Sequence, residues 1–95
     1  MNVVLLTGRL ATEIESEEII GNTVARFILA VPRNEEEDDF FRVKAWNSQA
    51  QAACAELRKG SKVAVEGSLR QDLYTSSNGT ERPAVVIMAK RIEYL

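Results

Sequence analysis

The sequence predicts an all-β fold: a five-stranded Greek-key barrel with one short helix between the third and fourth strands. Three observations carry this. Short β-rich stretches alternate apolar and polar residues with a period of two; Gly, Pro and Asn punctuate them; and a single stretch after Trp46 switches to helical spacing. With 95 residues the chain has the length of one domain, and it contains no repeat, linker or low-complexity segment. One domain over residues 1–95 is therefore expected.

Asn2–Leu10 opens the chain with Val3, Val4, Leu5 and Leu6 in succession, which predicts a strand covered on both faces, in a barrel or at a subunit contact. The acidic segment Glu13–Glu18 reads as a solvated hairpin, with Gly21-Asn22 as a tight turn. Val24–Val31 is the second strand, with Ala25, Phe27, Leu29 and Val31 on one face and Pro32 ending it. The third strand, Phe40–Trp46, turns Phe41, Val43 and Ala45 inward. Asn47 or Ser48 can cap a helix that runs to Lys59, with Ala50, Ala53, Cys54 and Leu57 on its buried side and Gly60 at its stop. Lys62–Tyr74 is the fourth strand; Val63, Val65 and Leu69 share a face, and Gly67 suits a corner of a small barrel. Asn78-Gly79 marks a hairpin tip, and Ala84–Tyr94 returns as the fifth strand. This is the element order of the oligonucleotide-binding barrel, the OB-fold, although other small barrels share the count.

Composition narrows the function. Cys54 is the one cysteine and there is no histidine, so an internal disulfide is impossible and a zinc site is not expected. The commonest general base is missing too, and no carboxylates stand in a catalytic pattern. A protein that is not an enzyme, with no cofactor, no metal and no small-molecule substrate, is the expectation. No apolar run approaches the ~20 residues needed to cross a bilayer, and Met1–Leu10 lacks the pattern of a secretory signal. The cytoplasm is the expected location. The net charge of −2 looks wrong for a polyanion binder until the charges are placed. Of the fourteen acids, nine fall in two clusters, Glu13–Glu18 and Glu35–Asp39, leaving all twelve Lys and Arg against five acids elsewhere.

The outward face of the third strand reads Phe40, Arg42, Lys44, Trp46: two aromatics bracketing two cations. Single-stranded nucleic acid needs flat apolar platforms for its bases and cations for its phosphates. Alternate strand residues lie ~6.6 Å apart, so the two rings stand about 20 Å apart, far enough for separate bases. Tyr74 offers a third platform and Arg70 shares its face; Arg9 in the first strand and Arg82 after the Asn78-Gly79 turn complete the candidate contacts. Taken singly, an aromatic on a strand is more often packing than function. The alternation shifts the balance, because an apolar face at 41, 43 and 45 forces 40 and 46 outward. A protein-binding surface could use the same rings, and stacking does not distinguish DNA from RNA. The acidic run Glu35–Asp39 is most simply a solvated loop; a gate that weakens nucleic-acid binding is the sharper alternative.

At these residues the sequence resembles the bacterial single-stranded DNA-binding protein family over nearly its whole length. The landmarks are Met1-Asn2-Val3-Val4-Leu5-Leu6-Thr7-Gly8-Arg9-Leu10, Val24–Val31, Phe40–Trp46 and Leu57–Arg70. The resemblance implies sequence-tolerant, non-catalytic binding of single-stranded DNA, with stacking at the positions matched by Phe40, Trp46 and Tyr74. It also implies a homotetramer, nucleoid association, and duties in replication, recombination and repair alongside other proteins. Three features depart from the family pattern. Glu35 stands where a further stacking aromatic is common, Gln71-Asp72 where a basic residue is common, and Leu95 where members usually continue into a flexible tail with an acidic tip. A short paralogue similar to primosomal replication protein N, acting mainly as a protein-interaction adaptor with weak nucleic-acid binding, is the alternative.

Overall fold

A computed structural model describes all 95 residues, Met1–Leu95. The alternating apolar pattern produces strands β1 (Val4–Leu10), β2 (Glu15–Ile19), β3 (Asn22–Pro32), β4 (Asp38–Trp46), β5 (Lys62–Thr75) and β6 (Glu81–Tyr94), with one helix, α1 (Asn47–Glu56), between β4 and β5. Five of the strands close a ring. β1 pairs with β5, β5 with β6, β6 in parallel with β4, β4 with β3, and β3 returns to β1 through Arg9↔Ala30 and Leu10↔Leu29. The acidic segment is β2, which pairs only with β3 and so stands outside the ring as an exposed hairpin arm. It continues the line of β1 along the same edge of β3, and the Ala11 N–H bond to the Ile28 carbonyl bridges the two.

Two glycines allow the closure. A Cβ at Gly8 would lie 2.2 Å from the Ala30 carbonyl oxygen, where β1 swings from β5 towards β3, and one at Gly67 would lie 2.2 Å from the Met88 carbonyl oxygen. The β5–β6 ladder shifts register at Glu66/Gly67, so the corner read at Gly67 is a bulge that bends the hairpin. Beyond it both strands run out as a long arm ending at Ser76–Thr80, where the Asn78 side chain accepts from the Thr80 N–H and Gly79 takes φ 83°.

The core is apolar throughout: Leu10, Leu29, Val43, Val63, Val65 and Ile87 are fully buried, and no polar or charged residue is. Helix α1 packs on β3, β4 and β6 with Ala50 and Ala53, and Leu57 seals the join.

Several local expectations are corrected. Cys54 is exposed rather than in the core; the contact stripe of Ala50, Ala53 and Leu57 is narrow, and the 100° step from 53 carries residue 54 past its edge. The helix ends at Glu56, short of Lys59, and neither Asn47 nor Ser48 caps it. Asn47 instead sits at φ 50°, and its side-chain Oδ1 accepts from the Thr23 N–H at 3.1 Å, tying the start of the helix to β3. The first hairpin turns on Ile20-Gly21, one residue earlier than Gly21-Asn22, with Ile19 paired to Asn22. Leu69 is exposed because it lies past the bulge, where the arm leaves the barrel. On β1, Val4 and Leu6 pack on the core while Leu5, like Val3 just before the strand, is left exposed, so within one chain the strand is covered on one side only.

Candidate nucleic-acid interface

The alternation of β4 determines the site. Val43 and Ala45 are buried and Phe41 packs on the core, so Phe40, Arg42, Lys44 and Trp46 project from the opposite face. Phe40 is 63% exposed and Trp46 36%, so both rings are open to solvent. The ladder to β3 sets Ala30, Ile28 and Arg26 beside Phe40, Arg42 and Lys44, and the parallel ladder to β6 adds Val86 and Met88 on the other side.

The β5–β6 arm then comes over this face. β4 and β5 are not hydrogen-bonded neighbours, yet the Arg42 guanidinium lies 5.1 Å from the centre of the Tyr74 ring, a cation–π contact. One step along, the Lys44 ammonium is ion-paired with Asp72. Arg26, Arg42, Lys44, Asp72, Tyr74 and Val86 thereby line an open cleft of about 400 Å³, whose lining also includes Glu13 and Glu15. The Asp72 carboxyl is held below its ordinary value chiefly by the hydrogen bond from Lys44, helped by the Leu73 N–H and by the charges of Lys44 and Arg26, against a smaller opposing effect of burial.

The structure thus brings Phe40, Arg42, Lys44, Trp46 and Tyr74 to one surface. Arg82 is Tyr74's ladder partner on the arm and Arg70 pairs with Val86; both are exposed. Arg9 stands apart on β1, outside the cleft lining, and its guanidinium donates to the Gly60 carbonyl at 3.1 Å. Arg26 was not among the sequence candidates. The rule that selected Arg42 and Lys44 would have found it, since residue 26 alternates with the inward Ala25 and Phe27. Its guanidinium pairs with Glu17 of β2 at 2.6 Å. The Lys44–Asp72 pair has no such signal, because it depends on how far the arm curls.

The acidic run divides: Glu35–Glu37 form an exposed turn, whereas Asp38 and Asp39, read as part of the same loop, open β4 and pair with Pro32 and Val31. The Asn34 side chain accepts from the N–H groups of Glu36 and Glu37, and Arg33 pairs with Glu37 at 3.6 Å and with Asp39. Asp39 holds the Arg33 guanidinium above its ordinary value. No group of three His, Cys, Asp or Glu side chains is placed to hold a metal ion, and no helix is long and apolar enough to cross a membrane.

A closed five-strand ring with a helix between β4 and β5, and a cleft lined by Arg26, Arg42, Lys44 and Tyr74 beside which Phe40 and Trp46 stand exposed outside its lining, defines a protein of the OB-fold class. The Single-strand binding protein family model matches residues 1–95, and the chain belongs to that family. It is 32% identical to Single-stranded DNA-binding protein 3 of Clostridium acetobutylicum, spanning all of this chain and 71% of that one. Identity to the single-stranded DNA-binding protein of Thermosynechococcus vestitus is also 32%, over all of this chain and 82% of the relative. A crystal structure of a deletion mutant of the single-stranded DNA binding protein from Thermus aquaticus superposes with a TM-score of 0.83 at 33% identity. All of this chain is covered there, and it spans 41% of the Thermus chain. These whole-chain matches do not favour the adaptor reading.

Proposed function

We propose that this protein holds single-stranded DNA on the concave face around β4, without sequence preference and without turnover. The observation that carries this reading is the outward display of Phe40 and Trp46 on either side of Arg42 and Lys44, in a chain matched end to end by the single-strand binding family. Bases stack on Phe40, Trp46 and Tyr74; phosphates meet Arg42, Lys44, Arg70 and Arg82, while Arg9 serves a more distant stretch of strand. Residues 1–95 act as one binding unit. Every base has a π-face, so stacking tolerates any sequence, and with no histidine in the chain the commonest proton-transfer group for catalysis is missing.

The uncovered Val3 and Leu5 support self-association, because exposed apolar stripes of this kind are ordinarily covered by a partner. A homotetramer that wraps DNA in the cytoplasm, close to the nucleoid, and serves replication, recombination and repair fits this arrangement. Titration with oligo-dT tests the site. Trp46 is the only tryptophan, so its fluorescence should be quenched on binding. Trp46→Ala should weaken affinity by about tenfold, within the roughly 1–3 kcal/mol that one stacked base contributes. Unchanged affinity in that variant overturns the stacking assignment.

A further inference from the structure

The cations of the cleft already have partners within the chain. Lys44 is held by Asp72, Arg26 by Glu17, and Arg42 lies on the Tyr74 ring. Lys44 is the most enclosed of the ion-paired cations, its side chain only 14% exposed against 39% for Arg26. Its partner is also fixed from behind: the second oxygen of the Asp72 carboxylate accepts the Leu73 N–H at 2.9 Å, which aims the first at the ammonium. Asp72 is itself 41% exposed, so the pair lies at the wall of the cleft and within reach of solvent and ligand.

We infer that Asp72 acts as an internal stand-in for a phosphate: its carboxylate occupies Lys44 in the free protein, and a nucleic-acid phosphate must displace it to use that lysine. A carboxylate oxygen and a phosphodiester oxygen are both anionic acceptors for the same ammonium, so the two compete for one site. Because Asp72 and Tyr74 ride on the same arm, displacing the carboxylate also loosens one of the polar contacts that tie the arm to β4, the Arg42–Tyr74 stack being another. Asp72 therefore sets an affinity below what the cleft cations could deliver and ties DNA binding to the position of the arm. This rests on the proposed function of the same face.

The test is a double-mutant cycle read by oligo-dT titration on the intact chain, using wild type, Asp72→Asn, Lys44→Gln and the double variant. Asparagine keeps an oxygen that can accept the Leu73 N–H, so that local hydrogen bond is retained; Asp72→Ser is a second version, and circular dichroism reports folding of each. Asp72→Asn should bind about three- to fivefold tighter than wild type, the scale of a partly exposed ion pair. In the Lys44→Gln background the same change should give less than half that gain, because no lysine remains to be released. An equal gain in both backgrounds shows simple removal of a repelling charge and overturns the inference, as does Asp72→Asn binding no tighter. Wild type that binds with Trp46 quenching alongside an unaltered Asp72→Asn sinks this inference alone. Failure of all four proteins to bind sinks the DNA-binding reading, and this one with it.

Discussion

Asp72 shows how one side chain can serve stability and oppose function. Its folded-state carboxyl lies below the ordinary value of 3.8, led by the hydrogen bond from Lys44. A carboxyl depressed on folding adds stability that is present above the unfolded value and is lost as pH falls through the folded one. The pair is partly exposed, so the contribution is modest. At pH 7 wild type should therefore resist urea slightly better than Asp72→Asn, and the gap should narrow at a pH below the ordinary carboxyl value of 3.8. A gap of equal size at both pH values would mean that the ion pair is not its source. The same substitution that should tighten DNA binding thus costs a little stability, as is common where a binding face carries charges its fold could pair off.

Among the elements, the β2–β3 hairpin carries an avoidable strain. Ile20 takes φ 48° at the tip, followed by Gly21 at φ 79°, a pair of left-handed residues that suits a two-residue hairpin turn. Gly21 adopts this freely, but a β-branched residue does not. Ile20 is fully exposed, so its side chain recovers nothing by burial. Ile20→Asn creates the favoured Asn-Gly turn and should raise stability by about 0.5–1 kcal/mol, a few degrees in Tm. A lower Tm in a calorimetric scan would show that Ile20 makes a contact the isolated chain does not display. The β5–β6 arm is the opposite case. Its bulge at Gly67 is indispensable, because any Cβ there meets the Met88 carbonyl, and the bend it produces is what brings Asp72 and Tyr74 over β4.

For the molecule as a whole, the outward face of β1 is the feature that one chain leaves incomplete. Val4 and Leu6 join the core, whereas Val3 and Leu5 stand open on the other side, Leu5 at 72% exposure. If this stripe is the proposed subunit contact, Leu5→Glu should lower the mass seen by sedimentation velocity while leaving the far-UV spectrum unchanged. An assembly of unaltered mass would move the contact elsewhere.

The barrel and the face of β4 were legible in the sequence because strand alternation is a local rule: once Val43 and Ala45 are inward, Phe40 and Trp46 can only point out. The same rule holds for Val63 and Val65 and fails at Leu69, where a bulge and a departing arm end the barrel's reach. Helical spacing found Ala50, Ala53 and Leu57 but not the narrowness of the contact that leaves Cys54 exposed. Residue order thus determined by itself the order of the five barrel strands, the helix between them and which side chains of β4 leave the core. Only the tertiary structure decided that Asp72 would reach Lys44, that Arg42 would lie on Tyr74, and that half of β1 would stay uncovered. The physical reason is range: side-chain direction along a strand follows from neighbours one or two residues away, whereas these contacts join segments about thirty or more residues apart through a curl set by the whole sheet.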